Sequence, residues 1–268
     1  KISSDEELGN FFANKWDDTV YIMEEFINAE INSYDAIIDS HGNPIFEAGN
    51  VTPMSIMDIV NNADNALFYI VKDLADDTRH LGRETAKSFG VRSRFVHFEF
   101  FRLLSDHEGL GKKGDLMALE VNMRPSGGPT PDMINFAYNI NCYQYYADMM
   151  IYDKLRHRSK TSPAFCVYVG RWKEHPYAHT HQEILEHWDK YLKVAEELPE
   201  VLAHGMGNYM YLARFESKEQ MDTFCQYALE IQDPEVLPEI PVKKTTQVRK
   251  TAGAKRSSKI SQKGSENS

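Results

Sequence analysis

Cysteine is scarce in this chain: Cys142, Cys166 and Cys225 are the three among 268 residues. They are odd in number, far apart and without a Cys-x-x-Cys pair. That spacing excludes a disulfide framework and a cysteine-based zinc centre, and fits buried free thiols in a reducing compartment. Long apolar runs are missing too, since none approaches the ~20 residues that cross a bilayer. No leader peptide is visible at the start. A cytoplasmic protein with no membrane partner is the expectation. No Ser-His-Asp or Cys-His set stands out, so a covalent nucleophile has no carrier.

Basic charge is also in short supply, with 30 Lys and Arg against 40 Asp and Glu and a net charge of −10. The stretch 242–268 reverses the balance, with eight Lys or Arg and one acid, Glu266. Almost no large apolar residue lies in it. Such a segment cannot bury enough surface to offset its ordering entropy, so a basic disordered tail is expected. No aromatic interleaves its charges, so no specific nucleic-acid partner is expected. At 42% hydrophobic residues overall, the chain can build a sizeable core.

Against these absences stands one dense polar pattern. Residues 95–101, Phe-Val-His-Phe-Glu-Phe-Phe, are rich in aromatics and read as a buried strand; 116–122, Leu-Met-Ala-Leu-Glu-Val-Asn, read as its partner. The polar, Gly-rich segment 105–115 is long enough for a loose hairpin loop. Side chains two apart in a strand share a face, so Glu120, Asn122 and Arg124 point together, towards whatever Glu99 faces. Oxygen-rich clusters of this kind suit Mg²⁺, which borrows its other ligands from water and phosphates. An adjacent arginine can hold a phosphoryl or carboxylate oxygen in its planar fork. Pro125, Gly127 and Gly128 then end the strand and let backbone approach a ligand. Phosphoryl transfer with metal-bridged phosphates is the chemistry these residues suggest.

The set resembles the ATP-grasp superfamily, in its carboxylate–amine ligase and biotin-carboxylase-like branch. That family carries a glutamate in one strand and Glu-x-Asn-x-Arg in the next, which Glu99, Glu120, Asn122 and Arg124 match position by position. The resemblance implies that Glu99, Glu120 and Asn122 bind one or two Mg²⁺ (or Mn²⁺) ions, and that Arg124 contacts the transferring phosphate or acyl phosphate. It further implies an adenine-binding hinge over Glu24, Glu25, Phe26 and Ile27. There the Glu25 carbonyl and the Ile27 amide would read the base, and Glu30 would take the ribose hydroxyls of ATP. Residues 20–23 are expected to be a short strand entering the hinge, and 31–38 another. In the family a Gly-rich phosphate loop and a lysine come earlier, so the chain is expected to be the C-terminal part of a longer protein. The start at Lys1 is read as a strand end leading into a helix capped by Ser or Asp.

The expected fold class is α+β: the C-terminal part of an ATP-grasp fold over 1–154, an antiparallel sheet with helices. A small α+β module over 160–241 and the tail 242–268 follow. Within this plan, 51–62 reads as a loop leading into a helix. Residues 65–89 read as a long helical stretch with a second helix from Thr78, ended by Gly90. A helix starts at Pro131 with Thr130 as its cap and runs on through Tyr143 to Met150. The module reads as a strand at 164–170, a helix at 184–198, a hairpin of 201–204 with 209–215, and a helix at 218–231 capped by Ser217. His175, His179 and His181 crowd the loop after Arg171 with Tyr177 and Glu183. They read as a polar loop at a helix start, or else as a functional loop, in which closure on a substrate carboxylate is favoured over imidazoles sharing a metal.

The implied function is an ATP-dependent ligase that joins a small-molecule carboxylate to an amine through an acyl phosphate. A homo-oligomer is compatible with it. The alternative is a non-catalytic nucleotide-binding or interaction module.

Overall fold

The computed structural model describes residues 2–15, 18–53 and 64–232. The expected helix start within 54–63 and the expected tail, 242–268, lie outside the described residues.

The first helix, α1 (Asp5–Asn14), begins where the sequence signals it: the Ser4 side chain accepts a hydrogen bond from the Glu7 amide. The strands β1 (Ala29–Ile38), β2 (Pro44–Ala48), β3 (Asn50–Thr52), β4 (Ala66–Ile70), β5 (Arg94–Leu103), β6 (Leu116–Asn122), β7 (Phe165–Arg171), β8 (Leu192–Glu197) and β9 (Tyr209–Phe215) form one nine-stranded sheet among the described residues. Its order is β6-β5-β1-β3-β4-β7-β9-β8, with β2 beside β1, and all its pairs are antiparallel. The helices α2 (Asp76–Ser88), α3 (Thr130–Tyr138), α4 (Cys142–Tyr152), α5 (His181–Trp188), α6 (Glu200–Met206) and α7 (Lys218–Leu229) complete the described elements.

Strand alternation divides the core between two faces. On one face, α3 and α4 bury Met133, Ile134 and Met149 against Ile37, Phe95, Ile70 and Tyr168. On the other, α2 covers Tyr34, Val96 and Phe98, while α5 and α7 cover Val169, Tyr211 and Phe215 with Trp188 and Phe224. α2 approaches β1 closely because Gly82 lies against the Tyr34 ring, where an added Cβ would sit 2.2 Å from it.

Several expected elements differ. Residues 20–23 form no strand; Val20, Ile22 and Met23 are exposed instead. An apolar run alone does not make a strand without a paired neighbour. The first part of the long helix expected over 65–89 is β4, while α2 supplies the rest. The apolar residues at 67, 70, 71 and 74 fit helical spacing, but the run Ala-Leu-Phe-Tyr-Ile is a central strand hydrogen-bonded on both sides, to β3 and β7. The helix from Thr130 breaks at Asn139, whose φ of 49° is left-handed, and α4 restarts with Asn141 capping Gln144. The helix expected over 184–198 ends at Trp188, and its second half is β8. The strand that precedes β9 and pairs with it is therefore β8, while 201–204 lies in α6. Residues 165–215 supply three strands to the common sheet through the β4–β7 pairing, so the sheet runs unbroken past the boundary expected near 154–160.

Among the described residues no helix is long and apolar enough to cross a membrane.

Candidate active site

The hairpin β5–β6 carries the residues that the sequence singled out. Its register sets Glu99 directly opposite Glu120 and His97 opposite Asn122, with a bulge between Glu99 and Phe100. On the other side of β5, Glu99 pairs with Ser33 and His97 with Asp35. Paired residues project to the same face, so Ser33, Asp35, His97, Glu99, Glu120 and Asn122 share one polar strip across three strands. Towards the other end of β1 and β5, the same face becomes apolar at Ile37 and Phe95, under α3 and α4. Within one face, then, the chain changes from core to polar site in a single strand step.

The strip is tightly bonded in its middle. His97 Nδ1 lies 2.9 Å from Asp35 Oδ1, and its Nε2 lies 3.1 Å from Glu99 Oε1. Asp35 also accepts from the Ser33 hydroxyl, which in turn accepts from the Asn50 amide at 2.9 Å. Burial opposes a charge on His97, but the Asp35 carboxylate and then Glu99 outweigh it, pushing the imidazole up to about 10. At neutral pH His97 is thus a cation held between two carboxylates. Sequence reasoning did not single out Asp35 or His97. The signal was there, however: Ser33-x-Asp35 and His97-x-Glu99 both break apolar strands at two-residue spacing.

Towards the open edge the strip loosens. Glu99 is half-buried and Glu120 exposed. The Asn122 side-chain nitrogen is buried with no hydrogen-bond partner among the described residues, as is the Asn50 side-chain oxygen. Two carboxylates facing across a strand pair, with an amide two residues along, make a hard oxygen-donor set of the kind Mg²⁺ takes. The unpartnered amide nitrogen is a hydrogen-bond donor beside that set, suited to an anionic oxygen and not to the metal. Among the described residues no cluster of three or more His, Cys, Asp or Glu could hold a metal by itself, so Asn122 or a ligand oxygen would have to contribute. Arg124 is exposed just beyond β6, and its Nη1 donates to the Pro125 carbonyl at 2.9 Å.

The hinge residues lie apart from this strip. Glu24, Glu25, Phe26 and Ile27 form an irregular segment before β1. The Glu25 carboxylate lies 3.1 Å from His107 in the β5–β6 loop, and the Asn28 carbonyl accepts from the Leu104 amide at 3.0 Å. Glu30 pairs with Arg102 in register, one residue out of phase with Ser33 and Glu99. Its side chain is on the opposite face, accepting from Asn32 Nδ2 at 3.0 Å. The β1 residue that faces the Glu99 side at this level is Ile31.

Comparison with solved structures settles the architecture. The L-amino acid ligase of Bacillus licheniformis superposes with a TM-score of 0.50 at 15% identity, over 75% of this chain and 50% of that one. The chain has the ATP-grasp fold. It spans about half the length of that solved ligase. Two further ATP-grasp proteins align. The phosphoribosylaminoimidazole carboxylase ATPase subunit of Aquifex aeolicus does so at 14% identity and TM-score 0.48, over 76% of this chain and 56% of that one. The biotin carboxylase of Campylobacter jejuni does so at 13% and 0.44, over 74% and 44%. No family profile and no curated protein matches the sequence.

Proposed function

We propose that this chain supplies the metal and acyl-phosphate half of the active site of an ATP-dependent ligase joining a carboxylate to an amine. The observation that carries the reading is the register of β5 and β6, which pairs Glu99 with Glu120 and turns Asn122 to the same face. The likeness in fold to a protein that is itself an amino acid ligase supports the reaction class.

Glu99, Glu120 and Asn122 would hold Mg²⁺, which neutralises and aligns the ATP phosphates. A substrate carboxylate oxygen attacks the γ-phosphorus, the bond to ADP breaks, and an acyl phosphate forms. The amine then attacks the acyl carbon, phosphate leaves, and the amine loses a proton. Arg124 is the residue to steady the phosphate oxygens as charge shifts, by turning its guanidinium from Pro125. His97⁺ fixes the Glu99 carboxylate in place through the 3.1 Å contact. The segment Glu24, Glu25, Phe26 and Ile27 is the proposed adenine hinge. Glu30 is left out of the ribose role, because the register turns it to the other face.

Phosphate release from Mg·ATP, in the presence of a panel of amino acids as carboxylates and amines, tests the reading on the intact protein. Glu120→Gln keeps the volume and removes the charge. Because Glu120 is exposed, melting should be unchanged while turnover falls ~10²-fold or more. A Glu120→Gln protein with near-normal turnover would remove Glu120 from the metal site, and a wild type that binds nucleotide but never turns it over favours the non-catalytic module.

A further inference from the structure

A second polar site lies far from the carboxylate pair. Arg171 ends β7 opposite Tyr209 of β9, and this pair projects to the face that carries Val169 and Tyr211. Following the register from Glu99 through Ser33 and across to Ile70, Cys166 and Arg214 shows that Arg171 is on the opposite face of the sheet. Four strand spacings separate β5 from β7 in the sheet, ~19 Å at ~4.8 Å each.

Arg171 is 5% exposed, yet among the described residues no carboxylate lies within ion-pairing distance of it. Its guanidinium lies 3.8 Å from the centre of the Tyr177 ring, and Nη2 donates to the His179 carbonyl at 2.6 Å. Its Nε is buried with no hydrogen-bond partner. A buried cation without an ionic partner is costly, and a stacked ring, one carbonyl and the neighbouring Tyr177 and Tyr211 hydroxyls offset only part of its lost hydration. The neighbouring side chains are otherwise engaged: Lys173 pairs with Glu197, and His179 Nε2 lies 3.0 Å from Glu230 Oε2. His181 Nδ1 lies 2.7 Å from the Tyr211 hydroxyl, and its ring stacks on Tyr209 with centres 5.0 Å apart. Burial, then the charge of Arg171, lowers the His181 imidazole below its ordinary value, so it is neutral at pH 7. These groups line a cavity of about 290 Å³ that Arg171 borders.

We propose that this cavity is a binding site for a small organic carboxylate, anchored by Arg171 and walled by the rings of Tyr177, Tyr209 and His181. The guanidinium edge with its unused Nε–H is a planar donor that matches a carboxylate, and Tyr177 already holds it in one plane. The tyrosine and histidine faces suit a flat or apolar body behind the carboxylate, a feature that a bare inorganic anion lacks. The volume is at the small end of the range for ligand pockets, of the order of 300 Å³, which a ligand the size of an aromatic acid fills. The ligand is bound here and not phosphorylated, since the carboxylate pair of β5 and β6 is on the other face.

Calorimetry on the full chain with benzoate, acetate and inorganic phosphate at pH 7 tests this, alongside NMR of the tyrosine rings during the same titrations. Benzoate should bind at least tenfold more tightly than either acetate or phosphate, and should shift the ring signals of Tyr177 and Tyr209. Arg171→Gln and Arg171→Lys should each weaken benzoate at least tenfold, the lysine variant because it has a charge but no fork. Glu120→Gln should leave benzoate binding unchanged, whatever it does to ATP turnover. The proposal is overturned by no benzoate binding at millimolar concentration, by phosphate binding as well as benzoate, or by unchanged affinity in Arg171→Gln. If Arg171→Gln does not fold, the wild-type ring shifts decide: shifts confined to tyrosines outside the cavity overturn the proposal as well.

Discussion

His97 and Asp35 form a buried ion pair at the centre of the polar strip, with 2.9 Å between Nδ1 and Oδ1 and no exposed surface on the aspartate. Removing one partner strands the other. His97→Leu should therefore destabilise the protein by ~3–5 kcal/mol, the usual cost of an uncompensated buried charge. Adding Asp35→Leu should recover much of that loss, because an apolar pair of similar volume carries no desolvation penalty. Urea midpoints for the two variants measure both effects. A His97→Leu protein as stable as wild type would mean that Asp35 is solvated or protonated in the fold.

The same pair sets a pH dependence. His97 in the folded protein titrates at about 10 against an ordinary value near 6.5. A raised folded value means that the native state holds the proton more tightly. The stabilisation is fully present below pH ~6.5 and is lost as pH rises towards about 10. Urea unfolding at pH 6.5, 8 and 9.5 should show falling stability, and the His97→Leu, Asp35→Leu double variant should show a flatter profile. Equal slopes in the two proteins would assign the alkaline loss to other groups.

The hairpin at the heart of the site was legible because two signals agreed there. Aromatic strand composition placed β5 and β6, and the Glu-x-Asn-x-Arg spacing placed Glu120 and Asn122 on one face. The register of Glu99 against Glu120 follows from the hairpin, and the sheet supplies it. What the sequence hid was mostly register and pairing. Glu30 was assigned to the ribose from its place after the hinge, but strand alternation turns it away: one residue of phase reverses the face. β4 passed for a helix because a short apolar run satisfies both periods, and only its two neighbours, β3 and β7, decide between them. β8 was hidden in the same way, behind the capping box of α5, in which Thr180 and Glu183 bond reciprocally. The His97–Asp35 pair was missed because its partners are 62 residues apart and meet only across the sheet.

Continuity of the sheet across β4 and β7 predicts shared stability. Phe224 is fully buried, with its ring centre 5.2 Å from Trp188 and 5.4 Å from Phe215. Phe224→Ala should cost ~3–5 kcal/mol. Hydrogen exchange should then accelerate in β5 as well as in β9, since both belong to one paired sheet. Faster exchange confined to β7, β8 and β9 would instead show that the region after 160 unfolds as a separate module.

Two glycines at the β7–α6 junction should respond in opposite directions. Gly170 lies in β7, where an added Cβ would come 2.0 Å from the Met206 carbonyl oxygen and 3.0 Å from its carbon. Those are backbone atoms at the end of α6, and Met206 also accepts the Tyr168 hydroxyl at 2.7 Å, so the obstacle cannot rotate away. Gly170→Ala should cost ~3 kcal/mol, the upper part of the usual range for overpacking, by pushing α6 off the sheet. Gly205 lies in the same helix with open space around its Cβ position and no positive φ. Gly205→Ala should stabilise by ~0.5–1 kcal/mol, because alanine loses less backbone entropy in a helix. Melting temperatures of the two single variants read the contrast directly. A neutral Gly170→Ala would mean that α6 does not rest on β7 as tightly as the Tyr168–Met206 bond requires.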